Sequence, residues 1–297
     1  MALLIALFLT VTIDGDGQQP QFEPSFNDTL GVEKSLAGHY VVLSIDDGHR
    51  SVYQKVYPLL KRYRMTATLA VIVNTLTGQG VNYYPGGTPY YLTRGEIKEM
   101  IDSCGIEVAS HTLSHPWLTR LDSSRAWQEI YRSRIILESL FGVPVITFVY
   151  PYGDMDERVR RFVKRAGYRA ARAVRSGDVN FWLDPYRLPE FELRKEISLA
   201  AAKNYVKSHR VSIILLHRIV DQPQFFTEWR AKDFADFLDW LYQEGAKTVT
   251  IADLYYDWRR EVVAKLISEI KPANDLLFSD SLFKNVDIDA TRTFQPR

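Results

Sequence analysis

The chain has 297 residues, 46% of them hydrophobic and 25% charged, with a net charge of +1, which is enough apolar sequence to bury a large core in one large domain or two smaller ones. A near-neutral balance with no basic block among the aromatics excludes the electrostatic footprint of a nucleic-acid-binding protein. The single cysteine, Cys104, excludes an intramolecular disulfide and a thiolate metal cluster, and its place near the end of a predicted helix assigns it to the core.

Residues 2–13 form an apolar run. It is too short to span a bilayer, which needs about 20 such residues, and it has the length of a signal-peptide core. The match is imperfect, because no Lys or Arg precedes Lys34 and no small-x-small cleavage site follows Ile13. Secretion or a cell-envelope location is the expectation, with a cytoplasmic protein carrying an apolar packing segment as the alternative. Asp14 to Lys34 is polar and rich in Gly, Pro and Gln, so residues 1–37 read as leader and linker, with no transmembrane span. Asn27-Asp28-Thr29 is a glycosylation triplet that matters only in a glycosylating export pathway.

From Gly38 to about residue 263, short apolar strands alternate with amphipathic helical segments, the pattern of an α/β domain with a parallel sheet. A strand at Tyr40 to Leu43 precedes a helix over Val52 to Tyr63 and a strand at Ala67 to Val73. Asn74 to Leu92, rich in Tyr, Gly and Pro, is too long for a connector and reads as a surface loop. Its Tyr83, Tyr84, Tyr90 and Tyr91 either stack on a sugar ring or pack the loop onto the domain. A capping box, Thr93 to Glu96, starts a helix to Ser103, and a strand follows at Ile106 to Ala109. The spacing next predicts helix Ser123–Phe141, strand Val145–Tyr150, helix Glu157–Ala166, strand Tyr168–Val174, a short strand within Arg187–Leu193 and helix Leu199–Ser208. Strand Val211–Leu216, helix Lys232–Glu244 and strand Thr248–Ile251 complete the series. About seven or eight βα units in this order suit a closed or nearly closed (β/α) barrel better than an open sheet. Beyond Ala264 the periodicity fades, and 264–297 reads as a tail.

Within this frame Asp46-Asp47-Gly48 stands where the first core strand ends. Two adjacent carboxylates half-buried together are costly unless a cation compensates one of them, so one acid is a candidate metal ligand and its neighbour a candidate proton acceptor. Taken alone, the triplet reads first as an ordinary polar turn. Its partners decide: His111 and His115, Pro151-Tyr152 and His217 also follow predicted strands directly, and in a parallel barrel those ends share one face. His111 and His115 are spaced i, i+4 and share a side if the segment makes a helical turn. Two imidazoles and one carboxylate make a three-ligand set suited to Zn²⁺, or to Co²⁺, Ni²⁺ or Fe²⁺, with positions left for water and substrate. His49 reads as a surface or supporting residue, and His39 and His209, which precede strands, as structural.

Ser44-Ile45-Asp46-Asp47-Gly48, Ser110-His111-Thr112-Leu113-Ser114-His115-Pro116, Tyr150-Pro151-Tyr152-Gly153 and Leu215-Leu216-His217 together resemble, in order and context, the polysaccharide deacetylases, the NodB-homology group of carbohydrate esterase family four. The resemblance runs from about Val41 to Ile251 and implies a distorted (β/α) barrel that uses one divalent metal, Zn²⁺ foremost, to remove N-acetyl groups from the sugars of a glycan. It implies Asp47, His111 and His115 as metal ligands and Asp46 as general base. It further implies His217 as the general acid for the departing amine and Tyr152 as the residue whose backbone N–H stabilises the oxyanion.

Two departures accompany it. Relatives often carry an arginine that orients the base where this chain has Tyr150, and Arg187 and Arg172 are the candidates to replace it. The family's fourth motif is only loosely resembled by Trp182 and Asp184. The rival readings are hydrolysis of a small non-sugar amide or cyclic imide on the same scaffold, and glycan binding by a catalytically dead site.

Overall fold

The computed structural model describes residues 36–77, 90–174, 177, 179 and 184–270, the last five as backbone. The leader and linker up to residue 35, Tyr83, Tyr84, Trp182 and residues 271–297 lie outside the described residues.

Ten strands and eight α-helices alternate along the described chain. They run β1 (Tyr40–Ile45), α1 (Tyr57–Tyr63), β2 (Thr68–Val71), α2 (Val73–Leu76), α3 (Arg94–Cys104), β3 (Glu107–Ser110), α4 (Ser123–Phe141), β4 (Thr147–Val149), α5 (Glu157–Arg165) and β5 (Ala170–Arg172). Then follow β6 (Phe191–Glu192), α6 (Leu199–Ser208), β7 (Val211–Leu216), β8 (Arg218–Val220), β9 (Glu228–Arg230), α7 (Ala231–Gln243), β10 (Lys247–Thr248) and α8 (Ile251–Ile270). The main sheet has the order β5-β4-β3-β2-β1-β7-β6, and every pairing in it is parallel. A single parallel bridge, Arg172 to Leu188, brings its two edges together. The result is the expected distorted (β/α) barrel, closed by only a few hydrogen bonds on the β5 side.

β1 is buried at all six positions, as a central parallel strand must be when both faces are covered. Alternation sends Val41, Leu43 and Ile45 toward the helices, where they join the large cluster with Leu60, Ile97, Val159 and Phe237. Tyr40 and Val42 point the other way, into the barrel, with Ile213, Leu188 and Val249. Above them Ala70, Ala109 and Val149 make a layer of small side chains, leaving room for polar groups at the next level. Truncating any one of the large buried side chains costs roughly 2–5 kcal/mol, so the barrel is a rigid mount for what its strand ends carry.

Local sequence explains the element ends. Thr93 and Glu96 form the reciprocal capping box that opens α3. Asp122, Asp156 and Ser198 cap α4, α5 and α6 by accepting from backbone N–H groups three residues on. Pro58 has no N–H to close an α turn onto Gln54, and the chain enters α1 through a wider π turn, Val52–Val56.

Three features differ from the sequence reading. The predicted strand Thr248–Ile251 is only Lys247–Thr248, and a helix absent from the sequence reading, α8, starts at Ile251 and runs six residues past Ala264 into the predicted tail; no Gly or Pro interrupts 251–270, and Pro272 is the next residue unable to continue a helix. β8 and β9 form a separate two-stranded parallel sheet directly after His217, each strand too short to leave a period. Cys104, the last residue of α3, is half-buried against the core rather than inside it.

Candidate metal centre and active site

The C-terminal ends of β1, β3, β4, β5 and β7 meet at one mouth of the barrel. Asp46 N–H extends the sheet ladder by donating to Leu216 C=O at 2.9 Å, and Asp47 then turns inward with a left-handed backbone (φ 68°). His111 follows β3, its N–H bound to Val71 C=O at 3.0 Å. The segment from His111 to His115 is not a helical turn. It is a loop with two left-handed residues, Thr112 (φ 70°) and His115 (φ 60°), pinned by His115 N–H donating to Thr112 Oγ1 at 2.9 Å. Glu129 of α4 holds the same loop by accepting from the N–H groups of Leu113 and Ser114, each at 2.9 Å.

The loop places the two imidazoles face to edge, with Nε2 to Nε2 at 3.0 Å and each Nε2 3.6 Å from Asp47 Oδ1. Ligands about 2.0–2.1 Å from a tetrahedral Zn²⁺ lie about 3.3 Å from one another, so a triangle of 3.0, 3.6 and 3.6 Å fits such an ion. His111 Nδ1 lies 2.8 Å from Val149 C=O and donates to it, which leaves the Nε2 lone pair facing the cluster. Burial, and then the neighbouring His111, push the His115 imidazole down to about 4, into the neutral form that ligates metals. Burial works against ionisation of Asp47. The His49 hydrogen bond and the histidines around it outweigh burial and hold the carboxyl well below the ordinary range.

His49 is buried, not a surface residue. Its Nε2 lies 3.2 Å from Asp47 Oδ2, so Oδ1 alone faces the two histidines. Tyr91 stacks on its ring and Tyr90 meets it edge-on, which gives these two tyrosines a packing role.

Asp46, 4% exposed, sits beside the cluster, its Oδ2 bound to Arg172 Nη2 and 3.8 Å from His111 Nε2. Arg172, 1% exposed, also donates from Nε to Ser44 Oγ at 3.1 Å. Arg172 thus stands where the sequence left the base without its arginine: Val149 pairs with Arg172 across β4 and β5, so the guanidinium arrives one strand over from Tyr150. Arg187 is exposed and points elsewhere. Behind Arg172, burial pushes the Glu190 carboxyl up to about 7.

His217 ends β7, and its Nδ1 lies 3.6 Å from Glu192 Oε1 on the neighbouring β6. Asp184 is engaged with Arg160 and the Tyr186 N–H instead. Glu192 was invisible in the sequence because β6 has only two residues and the pairing spans 25 positions of chain. Tyr152, half exposed and left-handed (φ 59°), stacks on Trp117 at 4.2 Å and 6° and meets His115 edge-on at 4.5 Å. Gly153 behind it is obligatory: a Cβ there would lie 2.5 Å from Val174 Cβ and 2.7 Å from its nitrogen. An open cavity of about 420 Å³ lined by Asp47, Ile72, Asn74, Thr75, Tyr91, Ser114 and His115 adjoins the cluster.

The fold and site define a parallel (β/α) barrel with a two-histidine, one-aspartate centre at its strand ends. Residues 33–171 match the polysaccharide deacetylase family. Over this stretch the domain resembles that family, the NodB-homology group. The Bacillus subtilis protein YxkH is 27% identical over 179 residues, 60% of each chain. The peptidoglycan-N-acetylmuramic acid deacetylase PdaC of Bacillus subtilis is 30% identical over 125 residues, 42% of this chain and 24% of PdaC. The chitin deacetylase of Amylomyces rouxii is 26% identical over 128 residues, 43% of this chain and 27% of that protein. The matches therefore span 60% or less of these relatives' lengths. The structure of PdaC superposes with a TM-score of 0.53 at 22% identity, covering 78% of this chain and 96% of that one, which is a likeness of fold.

Proposed function

We propose that the protein is a metal-dependent hydrolase that removes N-acetyl groups from the N-acetylated sugars of a glycan. The observation that carries this reading is the Asp47, His111 and His115 triangle of metal-ligating atoms with Asp46, held by Arg172, at its edge. The donor set suits Zn²⁺, with Co²⁺, Ni²⁺ and Fe²⁺ as alternatives. The chemistry supplied by such a metal is Lewis acidity toward the attacking water and the acetamide carbonyl.

Asp46 takes the proton of the attacking water. Arg172 occupies Oδ2, while Oδ1, buried and without a hydrogen-bond partner among the described residues, is the atom left to receive it. The backbone N–H of Tyr152 stabilises the oxyanion as the carbonyl becomes tetrahedral. His217 then protonates the nitrogen as the C–N bond breaks, which an amine requires because its anion is a very poor leaving group; Glu192 beside Nδ1 stabilises the imidazolium until that proton is passed on. The products are acetate and a free amino sugar. A positioned acid and a positioned base each contribute roughly 10²–10⁴-fold.

The names of PdaC and of the chitin deacetylase support a glycan substrate. Export belongs to the same proposal, since the apolar run at 2–13 suits delivery to an envelope or extracellular glycan. Among the described residues no helix is long and apolar enough to cross a membrane. The test is acetate release from N-acetylglucosamine oligomers by metal-stripped protein, by protein given back Zn²⁺ or Co²⁺, and by Asp46→Asn. Metal-dependent release lost in Asp46→Asn is expected. Release that survives chelation or the Asp46 substitution overturns the assignment.

A further inference from the structure

The two most exposed large apolar side chains among the described residues are neighbours, Phe225 at 64% and Phe226 at 61%. They sit on the loop between β8 and β9, directly beyond His217. The loop is braced from within. The buried Glu228 carboxylate accepts from the N–H groups of Gln224 at 2.6 Å and Phe225 at 2.9 Å and pairs with Arg218 at 2.6 Å. Lys195 N–H donates to Phe226 C=O at 3.0 Å. A loop fastened at this many points and still holding two phenylalanines in water is built to present them.

Both rings connect to the chemistry through short relays of side-chain contacts. Phe226 lies under the Arg194 guanidinium (5.7 Å), Arg194 is bound to Glu192, and Glu192 faces His217. Phe225 lies under the Arg218 guanidinium (6.0 Å), which also covers Tyr90 (5.2 Å), and Tyr90 packs on the His49 that holds Asp47. The relays set the aromatic pair on the His217 side of the site, while a second aromatic pair, Tyr152 with Trp117 stacked on it, meets His115.

We propose that Phe225 and Phe226 are a glycan subsite, stacking on the apolar faces of sugar rings beyond the one being deacetylated, so that the protein acts on polymers in preference to short sugars. This deepens the functional reading above and rests on it. Sugars are favoured over a lipid surface because each guanidinium here is matched by a carboxylate, Arg194 by Glu192 and Arg218 by Glu228, so the loop carries no excess positive charge to draw it to anionic headgroups.

The test is calorimetric binding to Zn²⁺-loaded Asp46→Asn protein, which keeps the substrate intact. The probes are hexamers and dimers of β-1,4- and β-1,6-linked N-acetylglucosamine, measured with and without Phe225→Ala and Phe226→Ala. At least one hexamer is expected to bind more tightly than its dimer, with the advantage falling roughly 3- to 10-fold for each ring removed and returning in Phe225→Trp. Hexamers that bind no better than dimers, or an advantage that survives both substitutions, overturn the proposal. So does Phe-dependent binding to phosphatidylcholine vesicles in place of the sugars. Failure of acetate release with the hexamer advantage intact counts against the reaction and leaves the subsite standing.

Discussion

Replacing Arg172 with methionine tests the buried centre at its most exposed point of energetics. The guanidinium is 1% exposed and Asp46 4%, and among the described residues Arg172 is the one guanidinium or ammonium bound to Asp46, whose other close ring is His111 at 3.8 Å. Removing one partner of a buried ion pair leaves the other charge uncompensated, at roughly 3–5 kcal/mol, whereas exchanging both for neutral groups of similar volume is often close to neutral. In metal-stripped protein, Arg172→Met is therefore expected to lower the urea midpoint by about 1 M or more at a typical slope of about 3 kcal/mol per molar. Asp46→Asn in the same background should recover about 2 kcal/mol or more, a coupling far above the few tenths expected of independent sites. The four proteins are compared by urea unfolding at pH 7. If Arg172→Met lies within about 1 kcal/mol of wild type, or if the double variant costs the sum of the singles, the ion pair does not organise this site and its link to the base is discarded.

Three further outcomes follow from contacts already described. His49→Ala, which frees Asp47 Oδ2, should weaken Zn²⁺ binding about 10- to 100-fold in a chelator competition, with Co²⁺ absorption changing shape as the carboxylate becomes able to bind through both oxygens. Burial holds the Glu107 carboxyl at about 7, above its unfolded value of 4.5. Its contribution is therefore complete below pH 4.5 and lost as pH rises through 7, roughly 3 kcal/mol in all, and Glu107→Gln should flatten the difference between urea midpoints at pH 5 and pH 8. Gly153→Ala forces both a left-handed alanine and a 2.5 Å approach to Val174, so loss of activity accompanied by a fall in thermal midpoint of several degrees is expected.

What the sequence made legible was local. Helices α4 and α6 fall where periodicity put them because their caps and breakers, Asp122 and Gly142 or Ser198 and His209, are adjacent to the periodic run. Asp47, His111 and His115 were legible as a group because the segments that carry them, Asp46-Asp47 and His111 to His115, directly follow strands, and parallel topology does the rest. The supporting residues were legible in part. Arg172 could be named beside Arg187 and His49 as a surface or supporting residue, but the strand register that brings Arg172 to the site and the packing of Tyr90 and Tyr91 that buries His49 leave no local pattern, and Glu192, on a two-residue strand, left no signal at all. The i, i+4 spacing of the histidines suggested a helical turn, whereas two left-handed residues achieve the same convergence by a different backbone route. α8 was hidden because its first residue closes the apolar run Thr248–Ile251 that reads as a strand, although Ile251, Leu254, Tyr255 and Trp258 then pack on one cluster at helical spacing.

Five described residues other than glycine have a left-handed backbone, and four of them, Asp47, Thr112, His115 and Tyr152, stand around the candidate metal centre. At roughly 1–2 kcal/mol each, their combined disfavour is on the order of 5 kcal/mol, comparable with the whole net stability of many domains. Selection for heat resistance alone would therefore find its quickest gains here, by admitting glycine or asparagine at these four positions. Two of those changes would delete side chains of the candidate metal centre outright. A library meant to toughen this protein while keeping its chemistry has to hold these positions constant and look for its gains in the helices, where the backbone is already at ease.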